Sequence, residues 1–127
     1  MNRLLLYLVI LSLFTGVYSC KKDKSSPTDK QVIKVTIKSN EDYSYDLGGY
    51  GDEEGASIIR QATHYQMSYL IRDSNSVNIT YKYKPAENYV GTDEVELKSE
   101  KDSDGAGPND IIIITTIKFT ITNGFVA

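Results

Sequence analysis

From Gln31 to Thr122 apolar and polar residues alternate with a period of two, segment after segment. A chain patterned this way can bury one side of each segment only if the segments are extended strands. Ile33, Val35 and Ile37 alternate with Lys34, Thr36 and Lys38; Tyr43, Tyr45 and Leu47 repeat the pattern before the break at Gly48-Gly49-Tyr50-Gly51-Asp52. Ala56 to Gln61 holds the apolar pair Ile58 and Ile59. Tyr65, Met67, Tyr69 and Ile71 alternate again and end at Asp73-Ser74-Asn75. Val77, Ile79, Tyr81 and Tyr83 face one way until Pro85 stops the run, and Val95 with Leu97 marks a further short strand. In the last run Ile111, Ile113, Ile117, Phe119 and Ile121 share a parity. Ile112 and Ile114 add a second apolar face to its first half, which is expected to be covered on both sides.

No segment carries a 3.6-residue apolar stripe. Seven short strands separated by turn residues predict an all-β fold: one antiparallel sandwich of Greek-key type, immunoglobulin-like in size and strand number, over 31–127. By parity Tyr43, Tyr45, Tyr81 and Tyr83 are core candidates. The ten tyrosines, with no tryptophan, are the unusual part of the composition.

The first 19 residues follow a different logic. Arg3 precedes an unbroken apolar run from Leu4 to Phe14, and small residues and a cysteine follow, which is the order of a secretory signal peptide. Extended to Val17, the run has about 14 residues, short of the roughly 20 that a membrane-spanning helix needs. Val17-Tyr18-Ser19-Cys20 resembles the lipobox of bacterial lipoproteins, with Tyr18 bulkier than the usual occupant. The resemblance implies cleavage before Cys20 and acylation of its sulfur and new amine. Cys20 is the only cysteine, so it has no disulfide partner to explain it otherwise. One acyl chain binds a bilayer marginally, whereas two or more anchor stably. Lys21, Lys22 and Lys24 would add roughly 1 kcal/mol each against anionic lipid. Position 21 is not the aspartate linked to inner-membrane retention, so the expected address is the outer membrane, with the leaflet left open. Residues 20–30, polar and containing Ser25-Ser26-Pro27, read as a flexible tether.

Removing residues 1–19 takes away Arg3 and no acid, leaving 13 basic against 17 acidic residues and a formal charge of −4. That balance argues against a nucleic-acid partner, which calls for a concentrated basic face.

The stretch from Asn78 to Asp93, with Tyr83-Lys84-Pro85-Ala86 followed by Tyr89, Gly91 and Asp93, resembles a segment of the immunoglobulin-like and cadherin-like modules of bacterial surface proteins. Gln61-Ala62-Thr63-His64-Tyr65 is similar to a hairpin of that family, and Asp102-Ser103-Asp104-Gly105 to its final turn. Ala62 stands where the family has proline, Tyr65 where it has glycine, and Val95 and Leu97 where it has aromatic residues. The resemblance implies a structural turn: Pro85 ends a strand, Tyr89 plugs the end of the sandwich, Gly91 allows the bend and the Asp93 carboxylate accepts backbone N–H groups.

Catalysis is not expected. His64 is the only imidazole, and no P-loop or dinucleotide fingerprint occurs. No cofactor is expected either. Asp102, Asp104 and Asp110 offer the hard oxygens that Ca²⁺ takes, but without EF-hand spacing, and such acid-rich segments are usually just solvated. Tyr50, in the Gly-rich break, and Asp52 beside it are the candidate ligand contacts, since an exposed tyrosine can stack on a sugar or anchor a protein contact. The expected function is a non-catalytic binding or scaffolding module at the outer membrane, engaging a surface protein or a glycan through loops 48–55 and 99–110. The alternative is a carbohydrate-binding accessory lipoprotein of a polysaccharide-uptake system.

Overall fold

The computed structural model describes residues 27–49, 55–101 and 111–124. They form seven strands: β1 (Thr28–Lys38), β2 (Tyr43–Gly49), β3 (Gly55–Arg60), β4 (Tyr65–Arg72), β5 (Asn78–Pro85), β6 (Gly91–Lys101) and β7 (Ile111–Thr122). Two sheets, ordered β1-β7-β6-β3 and β2-β5-β4, make a β-sandwich compatible with an immunoglobulin-like arrangement. β1 begins at Thr28, three residues inside the stretch expected to be tether, because its pairing with β7 starts at Thr28↔Ile112.

All strand pairs are antiparallel except that one. The chain's connections impose the exception. A short turn at residues 39–42 sends β2 back along the opposite sheet, so β1 runs against β2. β2 runs against β5, and the later strands alternate, so β7 points the same way as β1 when the two meet.

The core follows the parity of β5, β6 and β7. Tyr81, Tyr83, Val95, Leu97, Ile117, Phe119 and Ile121 are buried, with Ile37 from β1. Each contributes roughly 1.5–3 kcal/mol of burial. The Tyr83 ring stacks on Phe119 with centroids 4.0 Å apart, and Tyr43 meets Phe119 edge-on at 5.4 Å. Tyr43 and Tyr45 are half-buried at the margin of this cluster.

β4 departs from the expected face. Tyr69 and Ile71 are 44% and 47% exposed, Tyr65 is exposed too, and Ser68 is buried. Register decides this: Ser68 lies opposite Tyr83 and Leu70 opposite Tyr81, so they share the inward face of those two rings. A bulge between Tyr65 and Met67 shifts the pairing at the strand's start. The Ser68 hydroxyl then meets the Tyr81 hydroxyl at 2.7 Å and donates to Gln61 Oε1 at 2.6 Å. Burial, the larger effect, pushes the Tyr81 phenol up to about 12 against the lowering by Ser68. Val77 likewise lies before β5 and is 58% exposed. Ile112, Ile113 and Ile114 are half-buried and Ile111 is exposed, so the first half of β7 is not fully covered on either face.

Candidate functional site

The two connections at one end of the sandwich, residues 61–64 and 86–90, are clasped by Asp93. Its parity in β6 turns the side chain inward beneath them, and it is 6% exposed. The carboxylate accepts hydrogen bonds from the backbone N–H groups of Thr63, His64 and Glu94, each at 2.9 Å. The Thr63 hydroxyl donates at 3.1 Å and the Tyr83 hydroxyl at 2.9 Å. Burial works to raise this carboxyl's pKa, but the donors outweigh it and hold it below the usual value. The same burial, reinforced by Asp93, pushes the Tyr83 phenol up.

The neighbouring turn depends on the residues singled out from the sequence. Pro85 is fully buried at the end of β5. Ala86 N–H donates to the His64 carbonyl at 3.0 Å, and Tyr89 N–H to the Ala86 carbonyl at 3.0 Å. Asn88 takes φ 60°, the left-handed region that asparagine tolerates. Gly91 has φ 150°, and a Cβ there would lie 2.8 Å from the Tyr89 hydroxyl. That hydroxyl donates to the Thr92 carbonyl at 2.8 Å, which fixes the ring. His64 stacks flat on Tyr89, with centroids 4.2 Å apart and planes 8° apart, and its Nδ1 meets the Thr63 hydroxyl at 2.8 Å. The imidazole therefore meets one hydroxyl, that of Thr63, and makes no hydrogen bond to Asp93, which takes only the backbone N–H of His64.

Beside this clasp, the outer face of the four-stranded sheet holds a shallow polar groove of about 610 Å³. Register assembles it. Lys34 in β1 lies opposite Lys118 in β7, which lies opposite Glu94 in β6. Arg60 closes the row from β3, bonding to Glu94 and, at 2.9 Å, to Glu96, while Lys118 pairs with Glu94 at 3.1 Å. The hydrogen bonds from Arg60, foremost, hold both glutamates below the usual carboxylate range. These pairs are exposed and add little to stability; their effect is to set where the charges stand. Lys34 makes no ion pair among the described residues, and it faces a like charge across the ladder. One row further along, Thr36, Thr120 and Thr92 lie abreast with exposed hydroxyls.

The structure brings Pro85, Tyr89, Gly91 and Asp93 together with His64. Cys20, Tyr50, Asp52, Asp102, Asp104 and Asp110 lie outside the described residues. Among the described residues no group of three or more His, Cys, Asp or Glu side chains is placed to hold a metal ion. The groove went unseen in the sequence because its charges come from four strands, and only the register joins them. The alternation of Lys34, Glu94 and Lys118 with apolar neighbours marks them as outward-facing and no more.

No family model and no curated protein matches the chain. Among solved structures, the fold is similar to that of a cysteine protease inhibitor from Entamoeba histolytica, with a TM-score of 0.42 and 12% identity, covering 77% of this chain and 100% of that one.

Proposed function

We propose that this protein is a non-catalytic binding module, held at the outer membrane by lipid on Cys20, that engages an acidic glycan through the groove on the outer face of the four-stranded sheet. The observation that carries the reading is the charge row: Lys34, Lys118 and Arg60 surround Glu94, and Lys34 has no acid of its own. A ligand carboxylate at Lys34 relieves the like-charge opposition with Lys118. The adjacent threonine hydroxyls both donate and accept, as ring hydroxyls of a sugar require. A role beside a polysaccharide-uptake system is the second reading, favoured by the same row of hydroxyls. A hydrolytic role finds no support in the polar residues described, since Asp93 makes no hydrogen bond to the His64 ring, which stacks on Tyr89 and meets only the Thr63 hydroxyl.

Calorimetric titration of the purified chain with polygalacturonate, a neutral glucan and poly-glutamate tests this. Binding to polygalacturonate alone is expected, weakened at least tenfold by Lys34→Glu and reduced by salt. Preference for poly-glutamate points to an acidic protein partner instead. Equal binding of the neutral glucan, or no effect of Lys34→Glu, refutes the groove as the site.

A further inference from the structure

Topology fixes where the anchor leaves the body. β1 starts at Thr28, and the registers of its sheet put Gly55, Lys101 and Ile111 at that same end; β2, returning through 39–42, ends there at Gly49 opposite Asn78, which brings the 73–77 turn between β4 and β5 to the same end. The connections 39–42, 61–64 and 86–90 lie at the opposite end, with the Asp93 clasp and the groove row of Lys34 and Lys118 beside it. The chain is pinned as far back as Pro27, whose carbonyl accepts from Ile112 N–H at 3.2 Å.

We infer that the anchored domain stands with the Thr28 end toward the bilayer and the clasp end away from it, so that its partner-facing surface is the far half of the sandwich. The inference rests on the lipidation of Cys20 proposed above. Seven residue steps separate Cys20 from Pro27, which reach at most about 25 Å when fully extended. The twelve residues of β7 span roughly 36 Å. An inverted domain, clasp end on the lipid, would need its Thr28 end held some 36 Å above the surface, beyond the reach of that tether. With the Thr28 end down, the surface a large glycan meets first is the one bearing Lys34, Arg60 and Lys118. Those cations gain from standing clear of the lipid headgroups, where a soluble polyanion has no competitor.

The full-length lipoprotein, reconstituted in vesicles doped with nitroxide-headgroup lipid, tests the orientation. Cys20 is the only thiol, and the lipid caps it, so single cysteines introduced at exposed positions label uniquely. A fluorophore on Asn75→Cys, in the near-end turn, is expected to be quenched at least threefold more than one on Glu87→Cys at the far end. Equal quenching means that the domain lies on its side, and stronger quenching at Glu87→Cys means that it is inverted; either overturns the orientation. A thiol that labels in the unsubstituted protein, or failure to float with vesicles, overturns the anchor itself and the orientation with it.

Discussion

Asp93→Ala is expected to destabilise the domain by about 3 kcal/mol. The carboxylate accepts five hydrogen bonds. Solvent can replace some of them, since Thr63 and His64 are exposed and Glu94 half-exposed. The Tyr83 donor is harder to satisfy: its hydroxyl is buried, and its remaining acceptor, the His64 carbonyl, is 3.3 Å away. Among the three backbone donors, the equivalent of one bond is counted as lost with it. At roughly 1.5–2 kcal/mol for each charge-assisted bond lost, the pair accounts for about 3 kcal/mol. For a domain of this size that lowers Tm by roughly 12–24 °C. Circular dichroism during thermal and urea unfolding measures it. Tyr83→Phe, which keeps the stack on Phe119, should cost about 1 kcal/mol alone and much less in the Asp93→Ala background. An Asp93→Ala protein that melts within about 4 °C of the parent, or two substitutions that simply add, would refute the clasp.

The sign of the acid response follows from the same carboxylate. Its folded pKa lies below the ordinary aspartate value of 3.8, so its stabilisation is complete above the unfolded pKa and is lost as pH falls through the folded one. The stability gap between the parent and Asp93→Asn, measured by urea titration, should therefore be widest at neutral pH and shrink below about pH 3.8. Gly91→Ala, at φ 150° with a Cβ 2.8 Å from the Tyr89 hydroxyl, should cost about 1–3 kcal/mol in the same assay. Ile71→Thr, on the exposed face of β4, should leave stability within about 0.5 kcal/mol; a loss above 2 kcal/mol would put Ile71 in a packed contact.

How much of this was legible from the sequence differs element by element. The inward faces of β5, β6 and β7 could be read because Tyr81, Tyr83, Val95, Leu97, Ile117 and Phe119 alternate with polar residues that leave no second choice. β4 could not, because its more apolar parity (Tyr65, Met67, Tyr69, Ile71) is the outward one while the inward parity mixes Ser68 and Leu70 with Gln66 and Arg72, and the choice was made by its partner: Ser68 and Leu70 lie opposite the two buried tyrosines. The parallel pairing of β1 with β7 was equally hidden. Direction is a property of the whole circuit of connections, and no local pattern encodes it. At the site, Asp93 and Gly91 were visible through a motif resemblance, whereas Tyr83 was read as core and its hydroxyl's role in the clasp was missed. The groove left no local trace, since Lys34 and Lys118 are 84 positions apart and meet only through register.

The clasp and the groove share residues, and this separates two kinds of variant. Thr63, Asp93 and Phe119 line the groove while also holding the turn or filling the core. The groove's floor is thus set by buried interactions worth several kcal/mol, and its rim by exposed charges that contribute little to folding. Reversing the rim charge with Lys34→Glu should therefore weaken ligand binding at least tenfold with Tm unchanged. Removing Asp93 should lower Tm and, through the freed 61–64 connection, weaken binding as well. A Lys34 variant that unfolds like an Asp93 variant would mean that the rim is structural, and the case for a preorganised binding surface would then lose the separation on which it depends.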